Sequence, residues 1–185
     1  MNYSNRHITP ADIVFLGDSL TEAFDLEHYF RLPNLRNRGL SGDTTYHVRY
    51  RLEEILKARP KRLFLMIGIN DFFQGTDTMT ILRHIASIID EFGQASPETE
   101  IIVQSLLPVN GSLLLTDENI NLSIFGLNDS LRLLCHDAGV HFADLYGDFL
   151  NEEGEMDNRY TFDGVHLSKA GYDLWARLIR PLVMK

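Results

Sequence analysis

The chain carries one cysteine, Cys135, among its 185 residues, and that scarcity removes two classes of site at once. A single thiol forms no internal disulfide and no cysteine-rich metal centre. Cys135 falls on an apolar helical stripe and reads as a packed thiol rather than a nucleophile. Basic residues are also few: 17 Lys and Arg stand against 26 Asp and Glu, a formal net charge of −9. Neutralising phosphates needs clustered Lys and Arg, so no nucleic-acid partner is expected. The apolar runs, such as Leu63 to Ile69, fall far short of the ~20 residues that span a bilayer. No basic amphipathic stretch points to a membrane surface, so no stable membrane association is expected. His-Glu-x-x-His is absent, and a metal reading of the remaining Asp and His residues lacks further ligands. No metal or other cofactor is expected. Met1-Asn2-Tyr3-Ser4-Asn5-Arg6-His7 has none of the apolar character of a secretory signal, which makes the cytoplasm the expected compartment.

What remains is ordinary globular material. Hydrophobic residues make up 44% and charged residues 23% of the chain, enough for one domain over residues 1–185 with a sizeable core. Five apolar runs read as strands: Ile13–Leu16, Leu35–Asn37, Arg62–Ile67, Glu100–Leu106 and Val140–Asp144. Helical spacing is expected over Thr21–Phe30, Thr44–Ala58, Met79–Phe92 and Asp117–Ala138, with a kink or break at Gly126 and Gly139 just past the last of these. Ser168 reads as the N-cap of a final helix that Pro181 closes. Strands alternating with helices predict parallel βαβ units with right-handed crossovers. The least regular stretch runs from Tyr146 to Val165.

Four short blocks carry the chemistry. Gly17-Asp18-Ser19-Leu20 follows the first strand and puts Ser19 at a strand's carboxyl end and a helix's amino end. Open α/β sheets place their ligand crevice there, and helix N-termini favour developing negative charge. Asn37-Arg38-Gly39-Leu40-Ser41-Gly42-Asp43-Thr44-Thr45 is a glycine-bearing turn after the second strand. It reads either as a turn capped onto a helix or as a loop that points the Gly42 N–H into the crevice. Gly68-Ile69-Asn70-Asp71 ends the most apolar strand with an amide that suits an oxyanion donor. Asp163-Gly164-Val165-His166 spaces a carboxylate and an imidazole so that one turn brings them to the same side. Asp163 then accepts from one ring nitrogen and leaves the other for Ser19. Asp18 and Asp71 read as turn-bonding carboxylates, the other histidines as surface or packed residues, and Trp175 as a core residue.

Together the blocks resemble those of the SGNH hydrolases, the GDSL esterases and lipases, in the same order and from Ile13 to about Val183. Tyr160-Thr161-Phe162-Asp163-Gly164-Val165-His166-Leu167-Ser168 is the most specific stretch. Gly42-Asp43-Thr44-Thr45 before His47-Val48 is similar to the catalytic subunits of intracellular platelet-activating-factor acetylhydrolase and to many bacterial acylhydrolases. The resemblance implies a flavodoxin-like three-layer α/β/α sandwich with a five-stranded parallel sheet. It implies Ser19 as nucleophile, His166 as general base and acid, and Asp163 orienting the imidazole. The oxyanion hole would be the N–H groups of Ser19 and Gly42 with the Asn70 amide; Gly39 is a second candidate for the glycine position, and the Gly-Asp-Thr-Thr match favours Gly42. The expected partner is a small-molecule acyl ester, with a short acyl group on a soluble alcohol or sugar preferred; acetyl removal from a carbohydrate is the nearest rival, lysophospholipid and thioester substrates stand beside it, and relatives include both monomers and homodimers. Gly-x-Ser-x-Gly is missing, so the α/β-hydrolase arrangement does not apply. Two readings of other classes stand beside this one: a non-catalytic binding module on the same fold, and a phosphate-binding flavodoxin-like domain.

Overall fold

A computed structural model describes residues 7–114 and 120–185. In chain order it comprises β1 (Ile13–Gly17), α1 (Ser19–Glu22), α2 (Leu26–Phe30), β2 (Leu35–Gly39), α3 (Thr45–Tyr50), α4 (Glu53–Ala58), β3 (Arg62–Met66), α5 (Ile69–Phe73) and α6 (Thr78–Ala95). It continues with β4 (Glu100–Gln104), α7 (Gly111–Leu114), α8 (Ile120–Ala138), β5 (His141–Ala143) and α9 (Lys169–Val183). The five strands form one parallel sheet in the order β2-β1-β3-β4-β5. Every residue of β1 and β3 is buried, as expected of continuous apolar strands covered on both faces.

The strand order reverses once, at β1. Right-handed crossovers then send α1 and α2 to one face and the helices of the later crossovers to the other. Helix packing agrees, for α2 meets α9 while α6 meets α3, α4 and α8. Helices therefore cover both faces of the sheet, giving the three-layer α/β/α sandwich that the family resemblance implies and the parallel βαβ units that the alternating pattern predicts. On the α2/α9 face, Phe15 stacks on Phe64 with ring centroids 4.6 Å apart, and Phe24 stacks on Trp175 at 4.5 Å. Trp175 is a core residue whose indole N–H donates to Gln104 Oε1 at 2.8 Å. Cys135 is buried, and burial pushes its thiol up to about 11, which suits packing rather than nucleophilic chemistry. Among the described helices, none is long and apolar enough to cross a membrane.

Several boundaries depart from expectation. The helix expected over Thr21–Phe30 is two short helices. Asn37 Nδ2 donates to the carbonyls of Thr21 (2.6 Å) and Phe24 (3.1 Å), and Asp25 starts α2 by accepting from the His28 N–H. The helix expected over Thr44–Ala58 breaks at Arg51, whose guanidinium turns back to Asp43 and the Gly17 carbonyl. Gly126 neither kinks nor breaks α8, which runs through it; Asp117, the expected start of that helix, lies outside the described residues. Gly139 ends α8 with positive φ, and Val140 N–H reaches the Cys135 carbonyl at 2.9 Å, the 6→1 bond of a Schellman motif. Ser168 caps α9 through the Gly171 N–H. Pro181 does not close α9: it sits inside the last turn, and the helix runs on to Val183.

Candidate active site

The sheet order decides which loops can meet. Ser19 follows β1, and β2 and β3 lie on either side of it, so the loop bearing Gly42 and the first turn of α5, which bears Asn70, flank the serine at the carboxyl edge. This is the switch point where open α/β sheets open a crevice. Asp18 caps the turn by accepting from the Leu20 N–H at 3.0 Å. The helix behind Ser19 is a single turn, shorter than the sequence suggests. What it offers an anion is therefore the N–H groups of its first turn, which have no helical acceptor, rather than a long macrodipole.

Leu40 to Asp43 form a turn closed by the Asp43 N–H to Leu40 carbonyl bond at 3.1 Å. Gly42 occupies its third position with φ 81°, the left-handed conformation that a type II turn requires there. A Cβ added at Gly42 would meet nothing within 4 Å, so conformation alone calls for glycine. At Gly39 the reason is space: a Cβ would lie 2.1 Å from the Glu22 nitrogen. The Gly39 N–H is also taken by Asn37 Oδ1 at 2.8 Å. Of the two glycines weighed as oxyanion donors, Gly39 is thus committed to packing.

Side chains tie the loops to one another. Asn70 Nδ2 donates to the Asp43 carbonyl at 2.8 Å, bridging the segments after β2 and β3. Asp71 accepts from the Thr45 N–H at 2.9 Å and the Thr45 hydroxyl at 2.6 Å, and His84 Nδ1 lies 2.8 Å from that hydroxyl. Burial pushes the Asp71 carboxyl above its ordinary value despite those bonds. Arg51 reaches Asp43 Oδ2 at 2.6 Å and the Gly17 carbonyl at 3.0 Å, fastening the β2 loop to the end of β1.

The last pair arrives on the long stretch after β5. Asn110 N–H donates to the Gly164 carbonyl at 2.8 Å, which docks that stretch on the loop after β4. Asp163 Oδ1 accepts from the N–H groups of Val165 (2.9 Å) and His166 (2.8 Å), a local carboxylate turn of the kind Asp favours. Its other oxygen lies 2.7 Å from His166 Nδ1. His166 Nε2 is 3.0 Å from Ser19 Oγ. With Nδ1–H donating to the carboxylate, Nε2 is left to accept from the hydroxyl, a tautomer assigned from the bonding. Burial works to raise the Asp163 carboxyl, but the His166 ring and the two amides outweigh it and hold it below its ordinary value. Asp18 behaves oppositely. It is fully buried, and burial pushes its carboxyl up to about 7; its Oδ2 has no hydrogen-bond partner.

Sequence reasoning named Ser19, Asp163 and His166, which the fold brings within hydrogen-bond reach of one another, and Gly42 and Asn70, which stand on the flanking segments. It missed the bonds of Arg51 to Asp43 and of Thr45 to Asp71 and His84, because separations of eight, 26 and 39 residues carry no local pattern.

The chain matches the model of the GDSL-like Lipase/Acylhydrolase family over residues 15–174. It is 27% identical over 182 residues to the platelet-activating factor acetylhydrolase IB subunit alpha1 of Bos taurus, covering 94% of this chain and 75% of that protein. A solved structure from Streptococcus pneumonia, provisionally named for platelet activating factor, superposes with a TM-score of 0.87 at 27% identity, covering 95% of this chain and 85% of the other. A variant of an acetylxylan esterase from Geobacillus stearothermophilus shares the fold with a TM-score of 0.74 at 18% identity, covering 93% and 94%.

Proposed function

This chain belongs to the GDSL-like lipase/acylhydrolase family and is a carboxylic ester hydrolase, and from that premise we propose that it removes short acyl groups, acetyl above all, through a Ser19-His166-Asp163 triad. The observation that carries the reading is the unbroken pair of contacts from Ser19 Oγ to His166 Nε2 (3.0 Å) and from His166 Nδ1 to Asp163 (2.7 Å). A serine hydroxyl is a weak nucleophile until a base takes its proton.

In the first step Ser19 Oγ attacks the acyl carbon while His166 Nε2 takes the hydroxyl proton. Asp163 holds the ring in orientation and stabilises the imidazolium that forms. The charge that develops on the carbonyl oxygen is met by the Ser19 and Gly42 N–H groups and the Asn70 side-chain amide. Asn70 uses one Nδ2 hydrogen on the Asp43 carbonyl, which fixes the amide and leaves the second hydrogen for the oxyanion. The intermediate collapses by breaking the bond to the alcohol oxygen, which takes the proton from His166. Water then attacks the acyl-serine, giving its proton to His166, and the acid departs as Ser19 recovers its hydrogen. The preference for acetyl draws on the names of similar proteins, an acetylhydrolase subunit and an acetylxylan esterase.

Turnover of p-nitrophenyl acetate, butyrate and octanoate by wild type and Ser19→Ala tests this directly. Serine-dependent rates falling with chain length are expected. Equal rates from the two proteins would remove Ser19 from its role, and a preference for octanoate would overturn the short-acyl assignment.

A further inference from the structure

Phe162 holds an apolar ring in water directly beside the His166 imidazole. It is 68% exposed, and its ring lies nearly parallel to the imidazole, at 17° with centroids 6.0 Å apart. The backbone on either side is fixed. Thr161 pairs with Leu167 in an isolated antiparallel bridge, and its hydroxyl donates to the His166 carbonyl at 2.8 Å. The Phe162 N–H reaches the same carbonyl at 3.4 Å. Leu113 of α7, 44% exposed, comes against this stretch at Gly164, where an added Cβ would lie 3.3 Å from the Leu113 Cβ. Exposed apolar surface is thus gathered on the segment that carries His166, and the bridge keeps the Phe162 ring in place there.

The direction of bond breaking says what meets that surface. Besides Ser19 Oγ, the tetrahedral carbon carries the oxyanion, the acyl chain and the alcohol oxygen. The oxyanion is turned to Gly42 and Asn70, on the β2 and β3 side. The alcohol oxygen takes the proton that His166 Nε2 holds, so it must stand within about 2.6–3.2 Å of Nε2 as its bond to carbon breaks. The alcohol half therefore leaves along the imidazole, and the atoms beyond its oxygen come up to the ring that lies next to it. Taking the position of the ester from the catalytic reading above, we propose that Phe162 is a specificity-determining residue: it touches the alcohol half of the ester and favours alcohols with a flat apolar group close to the ester oxygen.

Other uses of the ring account for less. A side chain so exposed adds little to the core, because burial and not mere presence stabilises. The imidazole does not need it for orientation, since Asp163 holds Nδ1 at 2.7 Å. A centroid separation of 6.0 Å also stands at the outer limit of cation–π reach, about 6 Å. Contact with an apolar alcohol uses what folding leaves idle: both surfaces leave water together, and two rings gain further from offset or edge-on packing. The acyl chain takes the remaining direction, and the alcohol has departed before water attacks the acyl-serine. Phe162 should therefore act on acylation alone.

Kinetics of the full chain tests this with two ester series, run on wild type, Phe162→Ala, Phe162→Leu and Phe162→Tyr. One series varies the alcohol on a fixed acetyl group: ethyl, cyclohexylmethyl and benzyl acetate. The other varies the acyl group on ethanol: ethyl acetate, butyrate and hexanoate. Intrinsic reactivities cancel when one protein is compared with another. The ratio of kcat/KM for benzyl acetate to that for ethyl acetate should fall about ten-fold in Phe162→Ala, the value of an aromatic contact. It should fall less in Phe162→Leu and hold in Phe162→Tyr, which keeps the ring; the acyl ratios should not move. An unmoved alcohol ratio, or acyl ratios that fall beside it, would overturn the proposal. So would slower breakdown of the acetyl-enzyme, read from the phase after the p-nitrophenol burst with p-nitrophenyl acetate, because a ring acting through His166 slows both steps. Rates untouched by Ser19→Ala would bring down the catalytic reading and this proposal with it, whereas serine-dependent hydrolysis that ignores Phe162 overturns the proposal alone. Phe162→Leu carries the comparison with Phe162→Tyr if the alanine variant does not fold.

Discussion

Replacing Asp18 by asparagine should remove a loss of stability that the wild-type protein suffers as the pH rises. The carboxyl ordinarily ionises near 3.8 and here at about 7, chiefly because burial penalises the charged form. A group whose folded-state pKa is raised contributes its full stability below the unfolded value and loses it as the pH climbs through the folded one. Between those limits each pH unit removes about 1.4 kcal/mol, so the wild type loses about 4 kcal/mol between pH 4 and pH 8 from this residue. Asparagine keeps the acceptor for the Leu20 N–H and does not titrate. At the position of the unpartnered Oδ2 it leaves an unanswered N–H₂ where the neutral acid leaves an unanswered O–H, so that cost shifts the whole curve and leaves its slope alone. Urea unfolding of both proteins at half-unit intervals from pH 4 to 8 gives the difference in unfolding free energy. That difference should swing toward the variant by about 4 kcal/mol, most steeply between pH 5 and 7. Parallel curves over this range would show that Asp18 ionises freely in the folded protein and would refute the reasoning.

Three other substitutions probe the site from different sides. Asn70→Ala should lower kcat by ~10²–10³, the usual effect of losing one oxyanion donor, with the circular dichroism spectrum unchanged; an undiminished kcat would remove Asn70 from the oxyanion hole. Gly39→Ala forces a Cβ to 2.1 Å from backbone nitrogen and should cost the about 1–3 kcal/mol of stability typical of overpacking, or more, seen as a clear fall in melting temperature; an unchanged melting temperature would count against that close approach. Gly42→Ala has open space and only an unfavourable φ to meet, costing about 1–2 kcal/mol; it should fold well yet turn over slowly as its N–H is re-aimed, and full activity would count against its place in the oxyanion hole.

Legibility in the sequence followed the range of the interactions. β1 and β3 were readable because burial on both faces makes a strand continuously apolar, and Ser168 and Gly139 because caps are local chemistry. The Asp163–His166 pair was readable for the same reason, since the carboxylate builds its own turn with the next amides. The breaks within Thr21–Phe30 and Thr44–Ala58 were hidden because remote groups, Asn37 in one case and Asp43 with the Gly17 carbonyl in the other, redirect the backbone. Pro181 misled because a proline in a helix's last turn forfeits one hydrogen bond without ending the helix. The buried state of Asp18 had no signature at all, since it depends on what the completed fold packs around it.

The bonds from Asn70 to Asp43, from Asp71 to Thr45 and from Arg51 to Gly17 make a truss across the carboxyl edge of β2, β1 and β3. Loops joined in this way share their fluctuations, so the amides of Gly17, Thr45 and their neighbours should exchange hydrogen as one cooperative unit rather than loop by loop. A change at any strut is felt at every other. The exposed rings of Tyr46 and Tyr50 stand outside the truss, and there the side chains can be altered without disturbing the reacting atoms. The rigidity of the struts and the freedom of these outer positions divide the molecule into a part that holds chemistry fixed and a part open to change.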